Sequence, residues 1–211
     1  MEVPPFWLVL GAITILVLAF AVYYKLFPQM DARHTKLEGL TILYVEHQVD
    51  YKDLSAAFMR MMNDTRSIGG EGELRNIGLY FDDYGRISQK YMTRVAIGVI
   101  LDTTEQIERA KEFMQRAHRY KLRSLPSVEC IYLSVPFRNM ITYFLMGFYW
   151  KRLFQKLNSG DFTLNERGAG IEIYDYRDPD NKVIELFYPL ERAGAFFFPT
   201  FPEPKYNPSI H

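Results

Sequence analysis

The strongest feature of the apolar pattern is residues 6–24, FWLVLGAITILVLAFAVYY, about 19 positions without a charge. That is about the length a helix needs to cross the hydrocarbon core of a bilayer. A buried helix of a soluble domain normally keeps a polar stripe, and this run has none. Phe6 and Trp7 stand at one end and Tyr23 and Tyr24 at the other, where amphipathic rings favour both interfaces. The pattern predicts a membrane anchor over residues 1–27. Ala19-Phe20-Ala21 has the small-x-small form of a cleavage site, but the preceding MEVPP carries Glu2 and no basic residue. Signal peptides begin basic, so an uncleaved anchor is expected. The basic residues Lys25, Arg33 and Lys36 follow the run. The positive-inside tendency then puts the N-terminus in the lumen and the rest of the chain in the cytosol. Asn63-Asp64-Thr65 is a glycosylation sequon, usable only if that part were luminal.

Residues 28–39, PQMDARHTKLEG, show no apolar period and read as a short stalk. Regular signals then run over 40–199. Strand patterns cover 40–47, 74–81, 93–101, 127–135, 170–176 and 182–189. Residues 50–62 place Leu54, Ala57, Phe58 and Met61 at helical spacing, with the Asp50 carboxylate as a candidate cap. Residues 103–118 form a helix with capping-box spacing at Thr103 and Gln106. Acidic residues begin that helix and basic ones end it, as the helix dipole favours. A long helix is expected from Phe137 to Leu157, opened by Pro136 and closed by Asn158-Ser159-Gly160. Residues 82–90 and 177–181 read as polar turns, and 200–211 as a short tail. The order is strand–helix–strand–strand, a linking helix, then strand–helix–strand–strand. The inexpensive packing solution is an α+β fold, with two helices on one face of a largely antiparallel sheet. The other face is expected to be concave and available to a ligand or partner.

Composition narrows the functions. Lys+Arg and Asp+Glu each number 25, so the net charge is zero. Nucleic-acid binding driven by a basic surplus is therefore not expected. The single Cys130 excludes an intrachain disulfide and any zinc site with two thiolates. It alternates with Val128 and Tyr132, which reads as a small buried residue rather than a nucleophile. His34, His47, His118 and His211 have no metal-ligand spacing. There is no nucleophile elbow and no phosphate loop. No enzyme and no cofactor is expected. The basic group Arg116, Arg119, Lys121 and Arg123 reads as a helix end and a solvated face.

Four stretches carry a resemblance. They are LRNIGLYFDDYGRISQKYMTRVAIGVI (74–100), PFRNMITYFLMGFYWKRLFQKLN (136–158), GIEIYDY (170–176) and ELFYPLERAGAFF (185–197). With the preceding apolar run, they resemble the testis-expressed endoplasmic-reticulum autophagy (reticulophagy) receptor family, single-pass proteins with a gyrase-inhibitor-like, SOUL-like domain. The resemblance implies that fold, an anchor in the endoplasmic-reticulum membrane or nuclear envelope, and a cytosolic domain acting as an adaptor. It also implies partners: the ubiquitin-like modifiers of autophagic membranes and an AAA unfoldase. In the family the modifier is met by an aromatic-x-x-aliphatic motif in a long acidic tail, which docks as an added strand. Here only TFPEPKYNPSIH follows the domain, so a receptor role would have to run through a motif elsewhere. Trp150–Leu153, Phe154–Leu157 and Phe187–Leu190 have the spacing but lie in predicted helix or core strand.

Bacterial gyrase-inhibitor-like domains often hold a Glu on the floor of an aromatic pocket, in a Glu-x-x-x-Pro-(Leu/Ile) pattern. Here the match is Glu185 to Leu190. An isolated carboxylate on the concave face would be costly, and a cationic ligand would relieve it. Glu172 and Tyr174 are weaker candidates of the same kind. The alternative is that both acids face solvent or pair with a cross-strand Lys or Arg. Three readings follow: a membrane-tethered adaptor, a small-molecule-binding module centred on Glu185, and a hydrolase of the same fold.

Overall fold

The structure is a computed structural model of the 211-residue chain and describes residues 5–24, 32–70, 73–81, 93–157 and 169–190. Lys25, the linker 82–90, the helix stop 158–160 and the tail 200–211 lie outside these residues. The first element, α1 (Pro5–Tyr23), is apolar throughout, and residues Phe6–Tyr23 bury none of their length in the rest of the chain. It is long and apolar enough to cross a membrane.

Among the described residues the domain is a single eight-stranded sheet with every neighbouring pair antiparallel. Its strands are β1 (Arg33–Leu37), β2 (Leu40–Val49), β3 (Arg75–Tyr80), β4 (Thr93–Ile100), β5 (Lys121–Leu125), β6 (Val128–Pro136), β7 (Gly170–Asp175) and β8 (Val183–Pro189). The helices are α2 (Leu54–Gly69), α3 (Thr104–Arg116), α4 (Met140–Phe144) and α5 (Met146–Leu157). The strand order β1-β6-β8-β7-β3-β4-β2-β5 reflects the expected repeat. Each strand–helix–strand–strand unit lays its second strand at the centre, its third next, and its first outside. The two units meet where β7 pairs with β3.

The stretch expected as a stalk is corrected by this sheet. Arg33–Leu37 is β1 and pairs with β6 from Arg33↔Tyr132 to Leu37↔Val128. The strand β5 was also unforeseen, its residues having been assigned to a helix end; it pairs with β2. Glu38-Gly39 joins β1 to β2, and Pro126-Ser127 joins β5 to β6. Because β1 and β5 lie at opposite edges, these two-residue links tie the edges together and curl the sheet. A Cβ on Gly39 would sit 3.2 Å from the Leu125 carbonyl, which shows how closely the links cross.

Curling fills the face that the helices leave free. Leu37 and Leu125 from the edge strands and Val128 and Cys130 from β6 meet Ile77, Leu79, Ile171 and Ile173 from the centre in one buried cluster. The expected open concave surface is therefore largely an apolar core, because the two extra strands close over it. The opposite face carries two further clusters. One packs α2 and α3 on the first unit, and the other packs α4 and α5 on the second.

Three local expectations change. Asp50 does not cap α2, because the 3-10 turn Tyr51–Asp53 intervenes and places its carboxylate one turn too early. Its backbone carbonyl accepts from the Asp53 amide at 2.8 Å instead. The long helix starts late, since Pro136 still pairs with Val183 and the Phe137 amide bonds to the Lys182 carbonyl. It is also broken at Leu145 into α4 and α5. The capping box at Thr103 and Gln106 forms as expected.

Candidate functional site

Strand alternation sends neighbouring side chains to opposite faces, and β7 shows the result. Ile171 and Ile173 enter the inner cluster, while Glu172 and Tyr174 face the helices. Glu172 is 3% exposed, one of five buried polar or charged side chains among the described residues. Trp150 of α5 donates its indole N–H to Glu172 Oε1 at 2.7 Å. Tyr174 donates its hydroxyl to Glu172 Oε2. The Tyr80 hydroxyl of β3 lies 3.5 Å from that of Tyr174.

Further rings complete the shell. Phe58 of α2 meets Tyr174 edge-on at 5.3 Å. Tyr143 of α4 stands 6.3 Å from Tyr174 and shares a 2.6 Å hydroxyl contact with Tyr176. Phe154 stacks on Trp150 at 5.7 Å. Two glycines make the room. Gly78 is the register partner of Glu172, and a Cβ there would stand 3.0 Å from both the Phe58 and Tyr80 rings. A Cβ on Gly170 would stand 3.0 Å from the Trp150 indole. Small residues facing a bulky ring let the backbone approach closely.

Burial pushes the Glu172 carboxyl above its ordinary range, and the bonds from Tyr174, Trp150 and Tyr80 only partly pull it back. Burial and the neighbouring carboxylate hold the Tyr174 hydroxyl well above the usual tyrosine value. No Lys or Arg is among the groups that perturb Glu172. A cation entering this shell would meet a carboxyl that gains from ionising, and ring faces that favour positive charge.

The first-ranked acid lies elsewhere. Glu185 is on the neighbouring strand, where Ile173↔Glu185 are register partners, and it faces away from the helix layer. It is half-buried and accepts from the Tyr132 hydroxyl at 2.9 Å. Arg33 lies over the Tyr132 ring at 5.1 Å, which gives this rim its positive charge. So Glu172 and Tyr174 come together, while Glu185 stands apart on the other face. Trp150, Tyr80, Phe58 and Tyr143 were not expected at the site. Their signal was present: buried Trp and Tyr need partners for their polar ends, and a Gly inside a strand marks a close approach.

The remaining expected residues are placed as follows. Phe6, Trp7 and Tyr23 are exposed on α1, but Tyr24 is buried against the domain. The expectation of Tyr24 as a free interfacial ring is thereby corrected. Arg33 and Lys36 are exposed on β1. Asn63 is exposed on α2, whereas the Thr65 hydroxyl of its sequon is buried and bonds to the Met61 carbonyl at 2.9 Å. Cys130 is fully buried, which pushes its thiol up to about 12. Arg119 pairs with Asp64, and Lys121 with Glu46.

No family model and no curated protein matches the sequence. Solved structures do match the fold. The C-terminal domain of EcmrR superposes with a TM-score of 0.52 at 12% identity, covering 76% of this chain and 97% of that one. SAV2435 bound to tetraphenylphosphonium gives 0.51 at 12%, covering 77% and 95%. EcmrR in its DNA complex gives 0.53 at 12%, and there the match spans 83% of this chain and 63% of that chain. The domain thus has the curled α+β half-barrel of gyrase-inhibitor-like proteins, as the resemblance implied.

Proposed function

We propose that this chain is a membrane-tethered binding module for an apolar, aromatic-matched cation, with Glu172 as the counter-charge. The observation that carries this reading is a buried carboxylate inside a shell of rings, held by two neutral donors, the Trp150 indole N–H and the Tyr174 hydroxyl. Neutral N–H and O–H donors can be displaced by, or shared with, an incoming positive charge. Glu172 and Tyr174 are shut from solvent in this form, so entry requires the ring shell to open. The site binds rather than transforms its ligand.

In the same reading α1 spans the endoplasmic-reticulum membrane, with the domain on the cytosolic side where Arg33 and Lys36 lie. An adaptor role finds less to rest on. In each of the Trp150–Leu153, Phe154–Leu157 and Phe187–Leu190 pairs, at least one member is fully packed in the core.

The neighbour SAV2435 holds tetraphenylphosphonium, an apolar cation of the required chemistry, and it is the natural probe. Calorimetry of the full chain in detergent, against empty micelles, should show saturable binding. Affinity should fall at least about tenfold in Glu172→Gln, the equivalent of about 1.4 kcal/mol. Proton release, read from two buffers of different ionisation heat, should accompany binding to the wild type. Equal binding by the two proteins would sink the assignment.

A further inference from the structure

The helix α4 presents its side chains the wrong way round for a soluble domain. Its fully buried member is Thr142, whose hydroxyl accepts from the Arg138 amide at 3.2 Å. Half-buried Tyr143 turns inward to its hydroxyl contact with Tyr176. Met140, Ile141 and Phe144 point outward, 64%, 41% and 85% exposed. Phe144 is the most exposed large apolar side chain among the described residues, more so than any on α1.

This patch begins where α1 ends. Asn139 Oδ1 caps α4 by accepting from the Ile141 amide at 2.9 Å, and it also accepts from the Tyr24 hydroxyl at 2.9 Å. Tyr149 of α5 donates its hydroxyl to the Tyr24 carbonyl at 2.8 Å. The Arg138 guanidinium lies 5.3 Å over the Tyr23 ring. One side chain thus closes the start of α4 and grips the end of α1.

We propose that α4 is a second membrane contact, with Met140, Ile141 and Phe144 seated at the headgroup–acyl boundary of the bilayer that α1 enters. The inference rests on the reading of α1 as a span. Two observations name lipid as the occupant. The patch is continuous with the end of the apolar helix, at the level where the exposed Tyr23 would meet the interface. Arg138 stands between the two, where lipid phosphates supply the opposite charge. Apolar side chains on a short helix held in that plane bury themselves without spanning. The consequence is a fixed attitude of the domain. A lone span leaves a domain free to tumble, whereas two adjacent contacts hold α4 and α5 against the membrane.

The test uses the full chain in phosphatidylcholine–phosphatidylserine vesicles whose acyl chains are brominated both near the headgroup and deep along the chain. A small environment-sensitive fluorophore is placed in turn on Phe144→Cys, on Leu16→Cys within α1, and on Met59→Cys, which is exposed on α2. Cys130 is buried and its thiol is held largely protonated, so it stays unlabelled. Positions 16 and 144 should both be quenched, with position 144 losing at least about half its emission, and position 59 should stay bright. Quenching at 16 with none at 144 would overturn the inference and leave the span intact. If the label at 144 instead self-quenches as copies per vesicle rise, the patch meets a second copy and the inference also falls. No quenching at 16 would remove the span itself, and the inference with it.

Discussion

Glu172 and Glu185 stand one register step apart on paired strands, and they live in different solvents. Glu185 faces the rim of the inner surface, is half-buried, and takes one hydroxyl from Tyr132. Glu172 faces the helices, is shut from water, and takes an indole and a phenol. The chemistry of the two side chains is identical, as is their setting between β-branched or leucine neighbours. The difference comes from which face the helices cover and from the glycines that admit large rings on that face. A carboxylate becomes a candidate site through its enclosure more than through the local motif that contains it.

The largest expected effect breaks the enclosure outright. Glu172→Ala would orphan the Trp150 N–H and the Tyr174 O–H in a dry interior. Each unsatisfied buried donor costs about 1–3 kcal/mol, so the variant should lose about 3 kcal/mol or more. Urea unfolding of the full chain in detergent, followed by Trp150 fluorescence, measures this. A loss below about 1 kcal/mol would mean that water or a side-chain shift repairs the site, and that the enclosure is not as tight as the geometry shows.

A gentler variant sharpens the comparison through pH. Glu172→Gln keeps an acceptor in place and should cost only about 1 kcal/mol. Its value lies in the titration. The folded pKa of Glu172 is raised above its ordinary 4.5, chiefly by burial. The folded state therefore holds this proton more tightly than the unfolded chain does. Its contribution to stability is full below about 4.5, shrinks as pH rises through the interval, and is lost above the raised folded value. Wild-type stability should fall across that window, and the Gln variant should be flatter. Identical pH profiles would show that the carboxyl ionises as readily inside as outside. The ligand reading predicts the opposite slope for binding, because a cation prefers the ionised form and should bind more tightly as pH rises.

Much of this architecture was legible in the chain. Six strands, the doubled unit and the capped linking helix follow from apolar spacing and end signals. β1 and β5 were not legible, and the reason is physical. RHTKL and KLRSL each pair with one neighbour at a sheet edge. An edge strand needs only a residue or two turned inward, so its sequence carries no alternation. The site was half legible. GIEIY and VIELF both announce an acid on a strand, but which face was enclosed depended on Trp150, 22 residues before Glu172 in the chain. Its proximity to β7 is a tertiary fact. The glycine at position 78 was the local hint, a gap between the apolar Ile77 and Leu79 and opposite the acid in the register.

The smallest effect belongs to Glu185, and it completes the contrast. Glu185→Gln keeps an acceptor for the Tyr132 hydroxyl and removes a charge that water already screens. Tyr132 itself stays in place through its ring contact with Phe187 at 4.9 Å and the guanidinium of Arg33. The expected loss is within about 0.5 kcal/mol, the usual range for a surface change. Tetraphenylphosphonium affinity should be unchanged, since this acid lies on the face opposite the ring shell. A tenfold loss of affinity in Glu185→Gln, with Glu172→Gln unaffected, would move the binding site to the inner rim. The alternation of β7 and β8 makes that outcome a direct choice between two faces of one sheet, because no ligand bound beside Trp150 can touch the carboxylate that Tyr132 holds.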